Sequence, residues 1–177
     1  MSVLELRSEL HEMESENTVD FYSIIGDETW GHCLAVPPIY AEMFKKQDNS
    51  RRVVCLINDS LTLHAAIMPH GNGWVISMNK QNLKKLGLKV GSSVQVNMRR
   101  DDSEFGLPMP EEFREVLDQD AVAKEYFDAL TAGKKRSLIH IVGSVKNVDK
   151  RIERALMIVE RLKDSKGIFK ANELWGG

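Results

Sequence analysis

The sequence predicts an α+β protein in which a small closed or split β-barrel with inserted helices is followed by a small helical bundle. Three observations support this fold class. Between about Phe21 and Arg100 the apolar residues alternate with period two in six short runs. From Glu111 onward the apolar period becomes that of an α-helix. The stretch 86–98 joins a helix end, a glycine turn and an alternating strand, which is typical of small barrels with helices set into them.

Turn residues and prolines bound the predicted strands. Pro37-Pro38 ends the second strand because proline has no ladder donor, and Pro38 can then begin a short helix. Asn58-Asp59-Ser60 predicts a tight hairpin, since Asn and Asp tolerate positive φ. Asn79 is expected to cap a helix that Gly87 closes. The strands are expected at Phe21–Ile25, His32–Val36, Arg52–Ile57, Leu61–Met68, Trp74–Met78 and Val94–Met98, with a turn at 69–73.

The second half is predicted to contain four helices joined by short connections. Pro110 begins the first helix, at 111–117, and Asp118 or Asp120 caps the second, which Gly133 ends. The third covers 137–146, and Asn147 caps the fourth, which runs to about residue 163. The stripes expected to face the core are Val122, Tyr126, Phe127 and Leu130 in the second helix, and Val148, Ile152, Ala155, Leu156, Val159 and Leu162 in the fourth.

These patterns divide the chain into five parts. They are an acidic N-terminal extension (1–20), the β-barrel domain (21–100), a linker (101–110), the helical domain (111–165) and a tail (166–177). In the extension, Val3, Leu6, Leu10 and Met13 have the spacing of a short amphipathic helix, which the polar residues 14–18 are expected to fray. The linker is acidic, carries one glycine and two prolines, and shows no period.

Charge is segregated along the chain although the formal net charge is only −2. The net charge is −5 over residues 1–20, +5 over 21–100, −8 over 101–133 and +6 over 134–177. Complementary blocks can dock on one another or steer an anionic partner. Internal pairing together with solvated faces is the favoured interpretation.

Composition favours a cytoplasmic location. The chain lacks a run of 18 apolar residues, so no membrane span is expected, and residues 1–20 lack the basic start and apolar core of a secretory signal. Cys33 and Cys55 each lie inside an apolar run. Free buried thiols in a reducing compartment are the favoured interpretation, and a disulfide or reactive pair is the alternative.

No set of residues predicts catalysis, a metal or a cofactor. The serines at 60, 77 and 137 lack elbow glycines and a paired base, and Asp101-Asp102 lies in a linker rather than in a walled cleft. Gly71-Asn72-Gly73 lacks the following helix of a phosphate-binding loop and is interpreted as a turn. Metal ligation is not expected, because no ligand spacing joins the histidines at 11, 32, 64, 70 and 140.

Two sets of basic residues are candidate binding sites. Lys146, Arg151 and Arg154 lie at the start of the last helix, where free N–H groups favour anions, and they are the candidate anion site. Pairing with the −8 block is the favoured alternative for these side chains. The candidate contacts to nucleic acid are Lys80, Lys84, Lys85 and Lys89, although the pI near 6.2 and the acidic flanks count against that function.

Short motifs in the helical half resemble a known family. They are Leu107-Pro108-Met109-Pro110-Glu111-Glu112, Asp118-Gln119-Asp120-Ala121, Phe127-Asp128-Ala129-Leu130-Thr131, and Lys146 followed by Arg151, Ile152 and Arg154. In this order they resemble the bacteriocin-protection, YdeI or OmpD-associated family of bacteria. Asp149-Lys150 stands where that family usually has Thr before its first arginine, which is typical of a divergent branch.

The first half is similar to the domain of unknown function that often precedes that family. The similarity lies in Val36-Pro37, Ile57-Asn58, Met68-Pro69, Gly71-Asn72-Gly73, Asn79-Lys80 and Gly87-Leu88-Lys89-Val90-Gly91, and Ser92 replaces an acidic residue. The resemblance implies a double-split barrel related to the swapped-hairpin barrels of bacterial regulators and antitoxins. It brings an association with bacteriocin resistance and no molecular mechanism.

The sequence therefore predicts a bacterial, non-enzymatic binding or interaction protein, linked by resemblance to bacteriocin or stress resistance. Its expected partner is another protein or a small anionic ligand, and no membrane. A nucleic-acid-binding or regulatory barrel is the alternative. An enzyme or small-anion-binding protein of unknown substrate is the second alternative.

Overall fold

The computed structural model describes residues 18–28, 31–46 and 50–168. The chain divides into two units, Met1–Asp102 and Ser103–Gly177. The predicted α+β class is confirmed, because one antiparallel sheet occupies the first unit and helices occupy the second. No helix in the described part of the chain is long and apolar enough to cross a membrane.

The first unit is one seven-stranded antiparallel sheet with two short helices. Its strands lie in the order β4-β3-β7-β1-β2-β6-β5. The strands are β1 Thr18–Glu28, β2 Gly31–Val36, β3 Arg52–Ile57, β4 Leu61–Ala66, β5 Met68–His70, β6 Gly73–Met78 and β7 Ser93–Arg100. The helices are α1 Pro38–Met43 and α2 Lys80–Leu86.

The long strand β1 belongs to both halves of the sheet. Residues 18–24 pair with β7, and residues 25–28 pair with β2. Ile25 lies at the change of partner, where its N–H donates to the Ser92 carbonyl at 2.9 Å and its carbonyl accepts from Gly91 N–H at 2.8 Å. The predicted strand Phe21–Ile25 is therefore longer at both ends, and residues 18–20, expected in the extension, begin β1.

The local turn and capping signals of the first unit are confirmed. Asn58 and Asp59 have φ of 47° and 49° in the β3–β4 hairpin. The Asn79 side chain accepts from Asn82 N–H at 2.7 Å, and Gly87 ends α2 with φ of 64°. Pro38 is the first residue of α1, as its fixed φ favours.

Two predicted boundaries in the first unit are wrong. The turn expected at 69–73 begins as strand β5, where Pro69 needs no ladder donor because β5 is the edge of the sheet. The strand expected to reach Met68 ends at Ala66, and Ile67 N–H still donates to the Arg51 carbonyl at 2.9 Å. Met68 then begins β5 and pairs with Val75 of β6, so it belongs to a different strand.

The second unit contains helices α3 Glu111–Gln119, α4 Ala121–Asp128, α5 Ala132–Gly143 and α6 Val148–Asp164. Asp120 caps α4 and Asn147 caps α6, each by accepting a backbone N–H three residues later. The core of the unit is formed by Phe113, Leu117, Ala123, Phe127, Leu130, Leu138, Ile139, Ile141, Val142, Ala155, Ile158, Val159 and Leu162.

The prediction for α5 is wrong at both ends. It begins five residues earlier than expected because Thr131 caps it, with the Thr131 hydroxyl accepting from Lys134 N–H at 3.4 Å. Gly133 therefore lies in the first turn of α5 and does not end the preceding helix. The helix stops at Gly143 rather than at Lys146.

Parts of two predicted core stripes are exposed. Val148, Ile152 and Leu156 are 50%, 37% and 50% exposed, whereas Ile158, absent from the predicted stripe, is fully buried. In α4, Val122 is exposed and its neighbour Ala123 is buried. The apolar surface of each helix is wider than its contact with neighbouring helices, so periodicity alone placed the buried face too far to one side.

Residues 101–110 pack rather than extend freely. Asp101 is buried in the first unit, where its N–H donates to the Arg52 carbonyl at 3.0 Å and its carboxylate lies 3.0 Å from Nδ1 of His64. Phe105, Leu107 and Met109 pack against the core of the second unit. The segment expected as a linker is thus shared between the two units.

Both cysteines are free and buried, as expected for structural thiols. Burial raises the pKa of the Cys55 thiol to about 12. Burial, followed by the charges of Glu28 and Asp27, raises the pKa of the Cys33 thiol. Because the thiolate is the reactive species, both groups are expected to be inert in the folded protein.

The change of partner along β1 gives a matched pair of substitutions. Ile25 is 1% exposed and its neighbour Ile24 is 61% exposed. Ile25→Ala should lower the free energy of unfolding by about 2–5 kcal/mol because it leaves a cavity in the core. Ile24→Ala should change that free energy by about 0.5 kcal/mol or less. Urea unfolding followed by tryptophan fluorescence measures both, and equal losses would contradict the register of β1.

Candidate functional site

A groove of about 450 Å³ lies beside α2 in the first unit. We call it the lysine groove. Three lysines, one histidine and three apolar side chains line it: Lys80, Lys84, Lys89, His32, Leu83, Leu88 and Val90. Its volume lies within the range of pockets that hold small molecules.

The fold of α2 and the turn after it brings these residues together. Lys80 and Lys84 are four residues apart, so they lie on the same face of the helix. Gly87 reverses the chain, and Leu88 N–H donates to the Leu83 carbonyl at 2.9 Å. The returning residues 88–90 therefore run back beside the helix.

A second turn holds Lys89 in place. Its N–H donates to Oγ of Ser92 at 3.1 Å, and its carbonyl accepts from Ser92 N–H at 3.0 Å. Gly91, in the same turn, has φ of 85° and joins the groove to β1 through its hydrogen bond to Ile25. The backbone at the groove is thus fixed to the middle of the sheet.

His32 reaches the groove through strand pairing. In the β2–β6 ladder His32 lies opposite Met78, two residues before α2 begins. Its side chain is mostly buried, and Nδ1 lies 2.9 Å from a carboxylate oxygen of Asp27. His32 thus adds a polar ring to the groove that the Asp27 carboxylate holds in place.

The lysines of the groove form no ion pair with the described part of the chain. Among the described residues, no ion pair involves Lys80, Lys84 or Lys89, and all three are exposed. Each ammonium group offers three donors and no acceptor. The groove can therefore bind a negative group between its lysines and an apolar group against Leu83, Leu88 and Val90.

The structure brings together three of the four lysines predicted to contact nucleic acid. Lys80, Lys84 and Lys89 line the groove, whereas Lys85 is exposed on α2 and does not line it. The prediction missed His32 and the apolar lining. The apolar lining residues Leu83, Leu88 and Val90 each stand beside a lysine in the sequence, which is a signal for the lining. His32 joins them through a strand pairing that the sequence does not reveal.

The predicted anion site at α6 is arranged differently. Arg151 lies 2.8 Å from the Glu112 carboxylate on α3, and both side chains are about four-fifths buried, at 24% and 19% exposed. Arg154 is partly buried, and Lys146 is exposed just before the capping residue Asn147. Arg151 is thus paired with Glu112, a carboxylate of the acidic block at residues 101–133. Anion binding by Lys146, Arg151 and Arg154 stays a prediction.

Other cations of the second unit are also paired internally. Lys163 lies 2.8 Å from the Asp120 carboxylate, and Arg114 lies 3.4 Å from the Glu104 carboxylate. The hydrogen bond from Lys163 lowers the pKa of Asp120, and the hydrogen bond to Asp120 raises the pKa of Lys163. Charge in this unit is therefore used to join its helices.

Three histidines lie against carboxylates that the sequence did not identify as partners. Besides His32 with Asp27, His64 lies 3.0 Å from Asp101 and His70 lies 3.1 Å from Glu28. Among the described residues, no group of three or more His, Cys, Asp or Glu side chains could hold a metal ion.

Comparison with known families confirms the resemblance. Residues 107–165 match the family model described as bacteriocin-protection, YdeI or OmpD-associated, and residues 24–98 match DUF1905, a domain of unknown function. The two matches cover different parts of the chain, and the residues that line the lysine groove lie within the DUF1905 match. Neither a curated protein nor a solved structure matches the chain significantly.

The Arg151–Glu112 pair can be tested by a double-mutant cycle. Arg151→Gln and Glu112→Gln should each lower the free energy of unfolding by about 1 kcal/mol, and the double variant should lose little more than one of them, because one interaction is removed. Urea unfolding measures this coupling. Additive losses, together with a melting temperature that millimolar phosphate raises only when Arg151 is present, would favour an anion site.

Proposed function

We propose that this protein is a non-enzymatic binding protein whose lysine groove takes a small organic anion with an apolar portion. The observation that supports this proposal is the groove itself, where three lysines that form no ion pair with the described residues border three apolar side chains. A carboxylate, phosphate or sulfonate lies between the lysines in the bound state. The apolar portion contacts Leu83, Leu88 and Val90.

Magnitudes favour a ligand that uses both kinds of contact. An exposed ion pair contributes up to about 1 kcal/mol, so three lysines supply at most about 3 kcal/mol. Apolar burial adds about 25 cal/mol for each Å² removed from water. Inorganic phosphate alone lacks the second contribution and should bind more weakly than an aromatic sulfonate or phosphate.

The position of Lys85 favours a small ligand over nucleic acid. A polyanion held by its phosphates would use every exposed lysine of α2, because such contacts need no pocket. Lys85 lies outside the groove that the other three share.

The helical half matches the family model described as bacteriocin-protection, YdeI or OmpD-associated. Our proposal therefore includes that ligand binding in the groove contributes to bacteriocin protection.

The test is a fluorescence titration with 8-anilinonaphthalene-1-sulfonate, an anion with an apolar portion. The triple variant Lys80→Gln, Lys84→Gln, Lys89→Gln should bind it about tenfold or more weakly, at about 1.4 kcal/mol for each factor of ten. Lys85→Gln is the matched control, since it removes the same charge from the same helix, and it should bind within about twofold of the wild type.

The apolar contact and the nucleic-acid alternative have separate readouts. Val90→Ser should weaken the sulfonate without changing the net charge. With single-stranded DNA at low salt, a nucleic-acid surface predicts that Lys85→Gln and Lys84→Gln lose equal affinity and that each lowers the salt slope by about 1. The proposed function would be contradicted if Lys84→Gln and Lys85→Gln lost equal affinity for DNA and the triple variant bound the sulfonate as tightly as the wild type.

A further inference from the structure

A second pocket lies beside the first turns of α5, in the second unit. It has a volume of about 220 Å³ and is lined by Glu104, Phe105, Ala132, Lys135 and Arg136. The last three belong to α5, and Lys135 and Arg136 follow Ala132 by three and four residues, so all three share one face of the helix. We call this pocket the α5 pocket.

Two cations of the α5 pocket form no ion pair with the described residues. Other basic side chains of the second unit lie beside carboxylates, whereas neither Lys135 nor Arg136 has such a pair. Both residues are half-buried, and the Lys135 ammonium group lies over the ring of Phe127, 5.7 Å from its centre. A carboxylate that enters the pocket can therefore bind two cations, one of them a planar guanidinium that can donate two parallel hydrogen bonds.

The same pocket contains a negative group. One oxygen of the Glu104 carboxylate lies 3.4 Å from the guanidinium of Arg114, and the Glu104 side chain is 64% exposed. Its second oxygen can accept a hydrogen bond from a ligand. A ligand that carries only negative charge is repelled by this carboxylate. A ligand with a charge of each sign is attracted both by Glu104 and by the two cations.

Phe105 forms the apolar wall of the α5 pocket. Its ring packs edge-on against Phe127, with the ring centres 5.9 Å apart and the ring planes at 74°. Phe127 belongs to the core of the second unit, so Phe105 is held by that core. At about 220 Å³, the pocket is smaller than the ~300–1,000 Å³ of sites for drug-sized molecules, and its size suits one small metabolite.

We propose that the α5 pocket binds a free α-amino acid with an apolar side chain. The carboxylate of the ligand binds Lys135 and Arg136, its ammonium group binds Glu104, and its side chain contacts Phe105. The proposal goes beyond the function proposed above, because the α5 pocket and the lysine groove lie in different units and neither site requires the other.

Three related ligands test this proposal on the wild-type chain. A backbone amide NMR titration with L-phenylalanine should give saturating shifts at residues 104–106 and 131–137, with a Kd in about the millimolar range, because a few half-exposed contacts supply no more. N-acetyl-L-phenylalanine lacks the positive charge, and phenethylamine lacks the negative charge. Each should bind at least about threefold more weakly than L-phenylalanine, since an ion pair is lost.

Variants assign the two charges of the ligand to residues. The double variant Lys135→Gln, Arg136→Gln should weaken L-phenylalanine by about tenfold. Glu104→Gln should weaken L-phenylalanine about threefold and should not weaken N-acetyl-L-phenylalanine, which has no ammonium group to lose. The melting temperature of each variant reports whether it is folded.

Lys150→Gln is the matched control for the double variant. Lys150 is exposed on α6, forms no ion pair with the described residues and does not line the pocket. This variant should bind L-phenylalanine within about twofold of the wild type, because an exposed charge at a distance is screened by salt.

Two results would overturn the inference. The first is the absence of saturating shifts at residues 104–106 and 131–137 with L-phenylalanine at about 50 mM, well above a millimolar Kd. The second is equal affinity for L-phenylalanine and N-acetyl-L-phenylalanine, which would mean that Glu104 takes no part and that the pocket selects no ammonium group. Both results come from the wild-type protein, so they decide the matter even where a variant fails to fold.

Discussion

The first unit depends on one strand that serves two halves of a sheet. If β1 ended at Ile24, its first residues would still pair with β7, but β2, β6 and β5 would lose their connection to the rest. Ile25 stabilises the crossover by two means. Its side chain is buried in the core, and its backbone holds the turn that precedes β7. That turn contains Lys89 and Val90. The hydrogen bonds that join Ile25 to Gly91 and Ser92 therefore also position one side of the lysine groove.

The basic residues of α6 and those of the lysine groove have different surroundings. In the second unit, arginines and lysines of α6 and of neighbouring segments meet carboxylates from the acidic block, as Arg151 meets Glu112 and Lys163 meets Asp120. These pairs join helices that share one apolar core. In the first unit, Lys80, Lys84 and Lys89 line a groove and form no ion pair with the described residues. An anion entering the groove therefore meets cations that no described carboxylate has neutralised.

Local signals predicted local structure well. Asn79 with Gly87 delimited α2, Asn58-Asp59 marked the hairpin, and Asn147 marked the start of α6, because each signal acts within about five residues. Signals that depend on distant partners failed. The buried face of α6 is set by the helices that contact it, so Ile152 and Leu156 are exposed although their spacing fits a core stripe.

The candidate site was predicted in part for the same reason. The lysines are neighbours along the chain and could be grouped from sequence, but only the direction of each side chain separates Lys85 from Lys84. His32 lies nearly fifty residues before α2 and reaches the groove through the pairing of β2 with β6. The charge blocks correctly suggested pairing within the second half, yet they could not say that Glu112 is the residue that meets Arg151.

A backbone amide NMR titration with phenyl phosphate shows whether an anion with an apolar portion binds in the lysine groove, since it reports on every part of the chain at once. Shifts that saturate with ligand should concentrate at residues 80–90 and at His32, and inorganic phosphate should produce smaller shifts at the same positions. Saturating shifts centred on residues 146–154 of α6, with residues 80–90 unchanged, would contradict binding in the lysine groove.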